Sequence, residues 1–65
     1  MNILKSIPTI KFIEDHIRYY SIIKFKDNKE IEGIIKSFIN DFINFENNIS
    51  IKRSDIKLII CEPIN

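Results

Sequence analysis

The sequence predicts a small, mostly β domain in which one short amphipathic helix precedes five short strands curled into a barrel. Three observations predict it. Apolar and polar residues alternate with period two over several stretches after residue 20, which sets successive side chains on opposite faces of a strand. Clusters of Asp, Asn, Lys and Ser separate those stretches and accept turn geometry. The only glycine, Gly33, falls inside a strand pattern, where it marks a bend, a bulge or a close backbone approach.

The elements follow in order. Residues 1–7 are expected to form a loose arm, because chain ends fray unless something ties them down. Pro8 suits the first turn of a helix. Ile10, Ile13 and Ile17 then recur at helical spacing with Phe12 alongside, while Lys11, Glu14, Asp15 and His16 take the other side. That is a helix of about ten residues by its periodicity, too short to stand without a sheet beneath it. Ser21–Lys26 alternates, with Ile23 and Phe25 on one face. Asp27-Asn28-Lys29 makes the turn, and a second strand runs from Glu30 through Gly33 to Phe38. Ile39-Asn40-Asp41 interrupts the pattern. In Phe42–Phe45, Ile43 and Phe45 fill the core, which leaves Phe42 near the surface beside Asn44. Asn47-Asn48 supplies a two-residue hairpin turn, Ile49–Lys52 alternates again, Arg53-Ser54-Asp55 turns, and Ile56–Cys61 is a last, mostly apolar strand. Curling such strands into a barrel removes most of the exposed sheet edge. The apolar character of the last strand fits an edge that pairs with a neighbouring subunit.

Bulk properties narrow the function. The 65 residues form one domain over 1–65, and a domain this small buries only about 60% of the surface its unfolded chain exposes. Help comes from disulfides, metals or association. Cys61 and His16 are the only residues of their types, so an internal disulfide and an ordinary Cys/His metal site are both excluded. Association remains. The net charge of +1 excludes a polybasic DNA-coating protein but not a local basic patch. No apolar run approaches the roughly 20 residues of a membrane span, and the N-terminus lacks a signal-peptide pattern. A cytoplasmic location is expected, without membrane attachment.

The stretches KDNKEIEGIIKSFINDFINF and IKRSDIKLII carry a resemblance. With their Gly33-centred second strand, the Ser37-Phe38 pair and the short Asn47-Asn48 connection, they resemble the Sm-like RNA-binding family. Within that family the likeness is to the RNA chaperone Hfq of bacteria and some archaea, and it covers about residues 8–62. Allowing one inserted residue after Phe38, Asn40-Asp41-Phe42-Ile43-Asn44 matches the family's pattern of acid, two residues, hydrophobic and Asn, with Asn40 in place of the acid. Ser54 stands where the bacterial second motif has histidine. The outer-rim arginines are reduced to His16 and Arg18, and the adenine-stacking tyrosine has no clear counterpart.

The resemblance implies an SH3-like Sm barrel assembled into a homo-oligomeric ring, a hexamer rather than a heptamer. It also implies binding of U-rich single-stranded RNA (small RNAs, mRNAs or RNA ends) around the pore, in post-transcriptional regulation. Phe42 would stack on a base, Asn40 and Asn44 would read base edges, Lys52 or Arg53 would meet phosphate or stack through the guanidinium, and Ser54 belongs to the same RNA-binding set. The competing reading makes Phe42 core and Arg53 an ordinary turn residue. At the level of the whole chain the alternatives are a heptameric ribonucleoprotein scaffold and a small barrel that binds protein. No cofactor, metal or catalytic residue is assigned. Glu14-Asp15-His16 point in different directions on a helix, and Cys61 reads as a small buried apolar residue.

Overall fold

A computed structural model describes residues 2–64 as β1 (Asn2–Leu4), α1 (Ile10–Asp15), β2 (Tyr20–Phe25), β3 (Glu30–Ile39), β4 (Phe42–Phe45), β5 (Ser50–Lys52), a 3₁₀ turn (Arg53–Asp55) and β6 (Ile56–Glu62). The strands form one antiparallel sheet in the order β1-β6-β2-β3-β4-β5. Both outer strands, β1 and β5, have one unpaired edge, so the sheet is not closed into the expected barrel. The expected five strands are six. Residues 2–4 of the expected loose arm pair with β6 as Asn2↔Cys61, Ile3↔Ile60 and Leu4↔Ile59; Met1 lies outside the described residues.

Asparagine builds the hairpins. In the β2–β3 loop the Phe25 N–H donates to Lys29 O at 2.8 Å and the Asn28 N–H to Phe25 O at 2.9 Å. Asn28 takes φ 72°, and Asp27 Oδ1 accepts the Lys29 N–H at 3.0 Å. The β4–β5 loop repeats this plan: Phe45 N–H to Ile49 O, Asn48 N–H to Phe45 O, Asn48 at φ 67° and Asn47 Oδ1 accepting the Ile49 N–H. Each is a tight turn closed by a residue in the left-handed region, which Asn tolerates. The expected two-residue turn at Asn47-Asn48 therefore also includes Glu46. The two-residue turn lies instead at Asn40-Asp41, with φ 53° and 68°.

Two bulges shape the core. On β3 the pairing passes from Ile35↔Phe45 to Ser37↔Asn44, so Lys36 is an extra residue. On β6 it passes from Ile56↔Phe25 to Leu58↔Lys24, so Lys57 is extra. Each bulge turns strand parity over: Ile35 and Phe38 both face the core, as do Ile56 and Ile59. Ile13, Ile23, Ile35, Ile43, Ile56 and Ile59 are fully buried and Phe45 nearly so. Each contributes about 1.5–3 kcal/mol by leaving water. Gly33 has no positive φ; it permits close approach. A Cβ there would stand 3.1 Å from Asn47 Nδ2 and 3.1 Å from Phe45 Cδ2, and Asn47 uses that space to donate to Glu32 O.

The helix is shorter than its periodicity implied. Thr9 caps it by accepting the Phe12 N–H at 3.1 Å, so it begins after Pro8 rather than at it. It stops before Arg18, whose φ of 74° turns the chain so that its N–H reaches Ile35 O at 2.7 Å. One and a half turns cannot carry the expected face. Ile13 is buried, Ile10 is exposed, and His16, expected outside, is buried. The His16 ring stacks on Phe12 and meets the edge of Tyr19.

Candidate functional site

The outer side of β3, β4 and β5 holds most of the residues singled out in the sequence. Directly opposed residues share a face of an antiparallel sheet. The pairs Ile39↔Phe42 and Phe42↔Lys52, and Ser37↔Asn44 and Asn44↔Ser50, therefore form two short rows facing away from the core. The opposite parity carries Phe38, Ile43 and Ile51 inward. Phe42 is 42% exposed and Ile39 59%. Burial of Ile43 and Phe45 anchors β4 in the core and leaves the Phe42 ring partly exposed on the opposite face.

Beyond Ile39 the neighbours of that ring are polar: Lys52 lies opposite it, and the Ser37–Asn44–Ser50 row comes next along the strands. Asn44 Nδ2 donates to Ser37 Oγ at 3.2 Å, which fixes the amide plane and leaves its carbonyl oxygen free of this bond. A shallow groove beside it includes Lys36, Ser37, Asn44, Asn48 and Ser50 in its lining. Lys36 also borders a second depression with Arg18 and Glu46. The bulge is what brings Lys36 there. An aromatic face, an oriented amide, hydroxyls and exposed lysines are the groups that hold an unstacked base and its phosphate.

The remaining predicted residues divide. Asn40 is exposed at the tip of the β3–β4 turn, and Lys52 is exposed across from Phe42. Arg53 is largely committed to the protein itself. Its Nε donates to Asp41 Oδ1 at 2.7 Å and one Nη to Pro8 O at 2.9 Å, while its backbone N–H reaches Asp41 O. It ties the β3–β4 turn and the segment before α1 to the 3₁₀ turn, and only its remaining N–H groups can meet a ligand. Ser54 lies half-buried in that same turn. Sequence reasoning missed Ile39, Ser37, Ser50 and Lys36 as members of the face, and Asp41 as the anchor of Arg53. The alternation around Phe42 held a signal for Ile39; the Asp41–Arg53 pair spans two turns and had none.

Toward the other end of the sheet the polar side chains of Ser21 and His16 are buried. Ser21 is buried and its Oγ donates to Cys61 Sγ at 3.2 Å. Burial pushes the Cys61 thiol above its ordinary 9.0, against the opposing effect of the Ser21 hydrogen bond. His16 Nδ1 donates to Phe12 O at 2.6 Å, so its Nε2 accepts from Asn2 Nδ2 at 2.9 Å. Among the described residues no group of three or more His, Cys, Asp or Glu is placed to hold a metal ion, and no helix is long and apolar enough to cross a membrane. Compared with known proteins, the chain matches no family model, no curated protein and no solved structure.

Proposed function

We propose that this chain binds U-rich single-stranded RNA on the outer face of β3–β4–β5. In this reading it is an Sm-like subunit of a homo-oligomeric ring, a hexamer rather than a heptamer, and serves as an Hfq-type RNA chaperone in post-transcriptional regulation in the cytoplasm. The observation that carries the reading is Phe42. A phenyl ring left 42% exposed between Ile39 and Lys52, with the polar row of Ser37, Asn44 and Ser50 next along the strands, is a stacking platform with hydrogen-bonding groups at its side. Base stacking on an aromatic ring is worth about 1–3 kcal/mol. One such site is weak; repetition around a ring makes a strand that touches several sites bind tightly. Asn44 and Asn40 read base edges, and Lys52 and Lys36 meet phosphate. Arg53 holds the turn that presents Asn40 and offers its free N–H groups to the same strand.

The strand order supports the barrel-like part of the reading. β3 pairs with β2 through Glu30–Ile34 and with β4 through Ile35–Ile39, so a single strand serves both halves of a bent sheet. Ile39 favours a second reading, in which the face docks a protein. Its 59% exposure beside Phe42 makes an apolar pair that a partner side chain would cover. Native mass spectrometry with and without a short oligouridine separates these. A six-subunit species that takes up RNA is expected. A monomer or dimer that ignores oligouridine contradicts the proposal, and seven subunits move the reading to the heptameric scaffold.

A further inference from the structure

We infer that β1 is a removable guard: it occupies, within one chain, the edge of β6 onto which the β5 edge of a second copy pairs. The inference rests on the self-association part of the proposal above, not on its RNA part.

The argument begins with β6. Five of its seven residues are apolar and lie on both faces: Ile56, Ile59 and Cys61 point into the core, while Leu58 and Ile60 point away and are only half-buried, with the exposed Lys57 at the bulge and Glu62 at the end. A strand that is apolar on both sides is built to be covered on both. On one flank β2 pairs with it along almost its whole length. On the other, β1 pairs only with Ile59, Ile60 and Cys61, which leaves the outer edge of Ile56–Leu58 without a strand. A strand edge is a template for another chain unless something blunts it; here the bulged Lys57 guards the Ile56–Leu58 part, and β1 covers the apolar Ile59–Cys61 part.

The cover is thin. Of the three β1 residues, Asn2 and Ile3 are exposed, and only Leu4 packs against the core. Ile3, the residue opposite Ile60, is 53% exposed, so it shields Ile60 with one side of its own side chain. Beyond the ladder, the side-chain hydrogen bond that ties β1 down is Asn2 Nδ2 to His16 Nε2. Lys5, Ser6 and Ile7 are exposed and lead to Pro8, which is buried. Pro8 is therefore the fixed point from which residues 2–7 can swing away without disturbing α1.

The occupant follows from what the sheet leaves open. β5 is the other strand with an unpaired edge, and its three residues, Ser50–Lys52, match the length of the β1 footprint on β6. It sits at the opposite end of the strand order from β6. Pairing of the two between copies joins unlike edges and so propagates from subunit to subunit, as a ring requires. In the single chain the guard keeps β6 from indiscriminate pairing; in the assembly it is displaced. The population of chains with β1 released then sets the apparent affinity of assembly, since only those chains are competent.

Two variants test this in the full protein, with mass and subunit number read by size-exclusion chromatography with light scattering across a dilution series. Deleting residues 2–6 removes the guard. Ile3→Cys with Ile60→Cys, in a Cys61→Ala background, locks it on when oxidised. The deletion is expected to lower the protein concentration for half-assembly by about ten-fold or more, and the oxidised lock to raise it comparably, with reduction restoring the unlocked behaviour. A folded deletion variant that assembles no more readily than the parent overturns the inference. So does a variant that assembles with its disulfide intact. If the lock fails to block assembly while the parent forms rings and binds oligouridine through Phe42, the guard fails and the proposed function stands. Loss of oligouridine binding in every form, with assembly still controlled by the lock, has the reverse meaning.

Discussion

At the β1–β6–β2 end of the sheet, polar groups lie inside and are satisfied. His16 is held by Phe12 O and Asn2, and Ser21 by Cys61; among the described residues no buried side-chain nitrogen or oxygen lacks a partner. At the β3–β4–β5 end the arrangement is inverted: Ile39 and Phe42 are apolar and lie outside, beside amides and hydroxyls. A buried polar group with its partners in place is explained by the fold that contains it. The packing within the chain does not account for an exposed aromatic ring in the same way, and the proposed function assigns it a ligand. The two ends thus separate what holds the molecule together from what it presents.

The largest test of that contrast sets two phenylalanines of β4 against each other. Phe45→Ala, removing a ring that is 1% exposed, is expected to cost about 3–5 kcal/mol, enough to leave much of the protein unfolded. Phe42→Ala should cost under ~1 kcal/mol. Urea denaturation followed by circular dichroism reads both, and equal losses would erase the distinction.

Gly33→Ala comes next. The new Cβ would press on the Phe45 ring and the Asn47 amide, each 3.1 Å away. Phe45 cannot retreat through a filled core, so a loss of about 1–3 kcal/mol is expected. A thermal midpoint unchanged from the parent would show that the β4–β5 loop yields instead.

Arg53 sharpens the boundary between the two ends, because it lies beside the exposed face yet acts on the fold. Lysine cannot reproduce a guanidinium that donates from Nε and Nη in different directions. Arg53→Lys should therefore destabilise by about 1–2 kcal/mol. Lys52→Ala should change stability by no more than ~0.5 kcal/mol while weakening RNA binding and flattening its salt dependence. Reversed roles in paired stability and binding assays would make RNA contact, rather than the tie to Asp41 and Pro8, the main role of Arg53.

The smallest effect belongs to Cys61. Its native thiol holds the proton to higher pH than the unfolded thiol, whose ordinary value is 9.0. Below that value both states are protonated and stability is unaffected. Above it the unfolded chain ionises first, so stability falls with rising pH until the native thiol ionises too. Cys61→Ala should remove this part of the alkaline decline, as read in denaturation midpoints between pH 8 and 11.

Much of the frame was legible in the sequence. The alternation around Ile23, Ile43, Phe45 and Ile51 gave the right faces, and Asn28 and Asn48 marked the turns they close. Phe42 was read as outside because its neighbours had to be inside. What escaped was whatever lacks a period. A three-residue strand such as β1 is too short to alternate. A bulge at Lys36 or Lys57 reverses parity without a local sign. Thr9 and Arg18 trim α1 to six residues, so Ile10 loses the core and His16 enters it. The expectation of a closed barrel missed β1, which adds an outer strand to the edge of β6. At the candidate site, Phe42 and Asn44 were visible from strand parity, whereas the tie from Arg53 to Asp41 exists only once two distant turns meet.

The most direct measurement is a fluorescence-anisotropy titration of a short oligouridine with the parent protein and Phe42→Ala, at fixed salt and with folding checked by circular dichroism. The account predicts that the parent binds and that the variant, equally folded, loses about five-fold to a hundred-fold or more in affinity, the loss of one stacked base at each site. Equal affinities for parent and variant, or no binding by either, would contradict it.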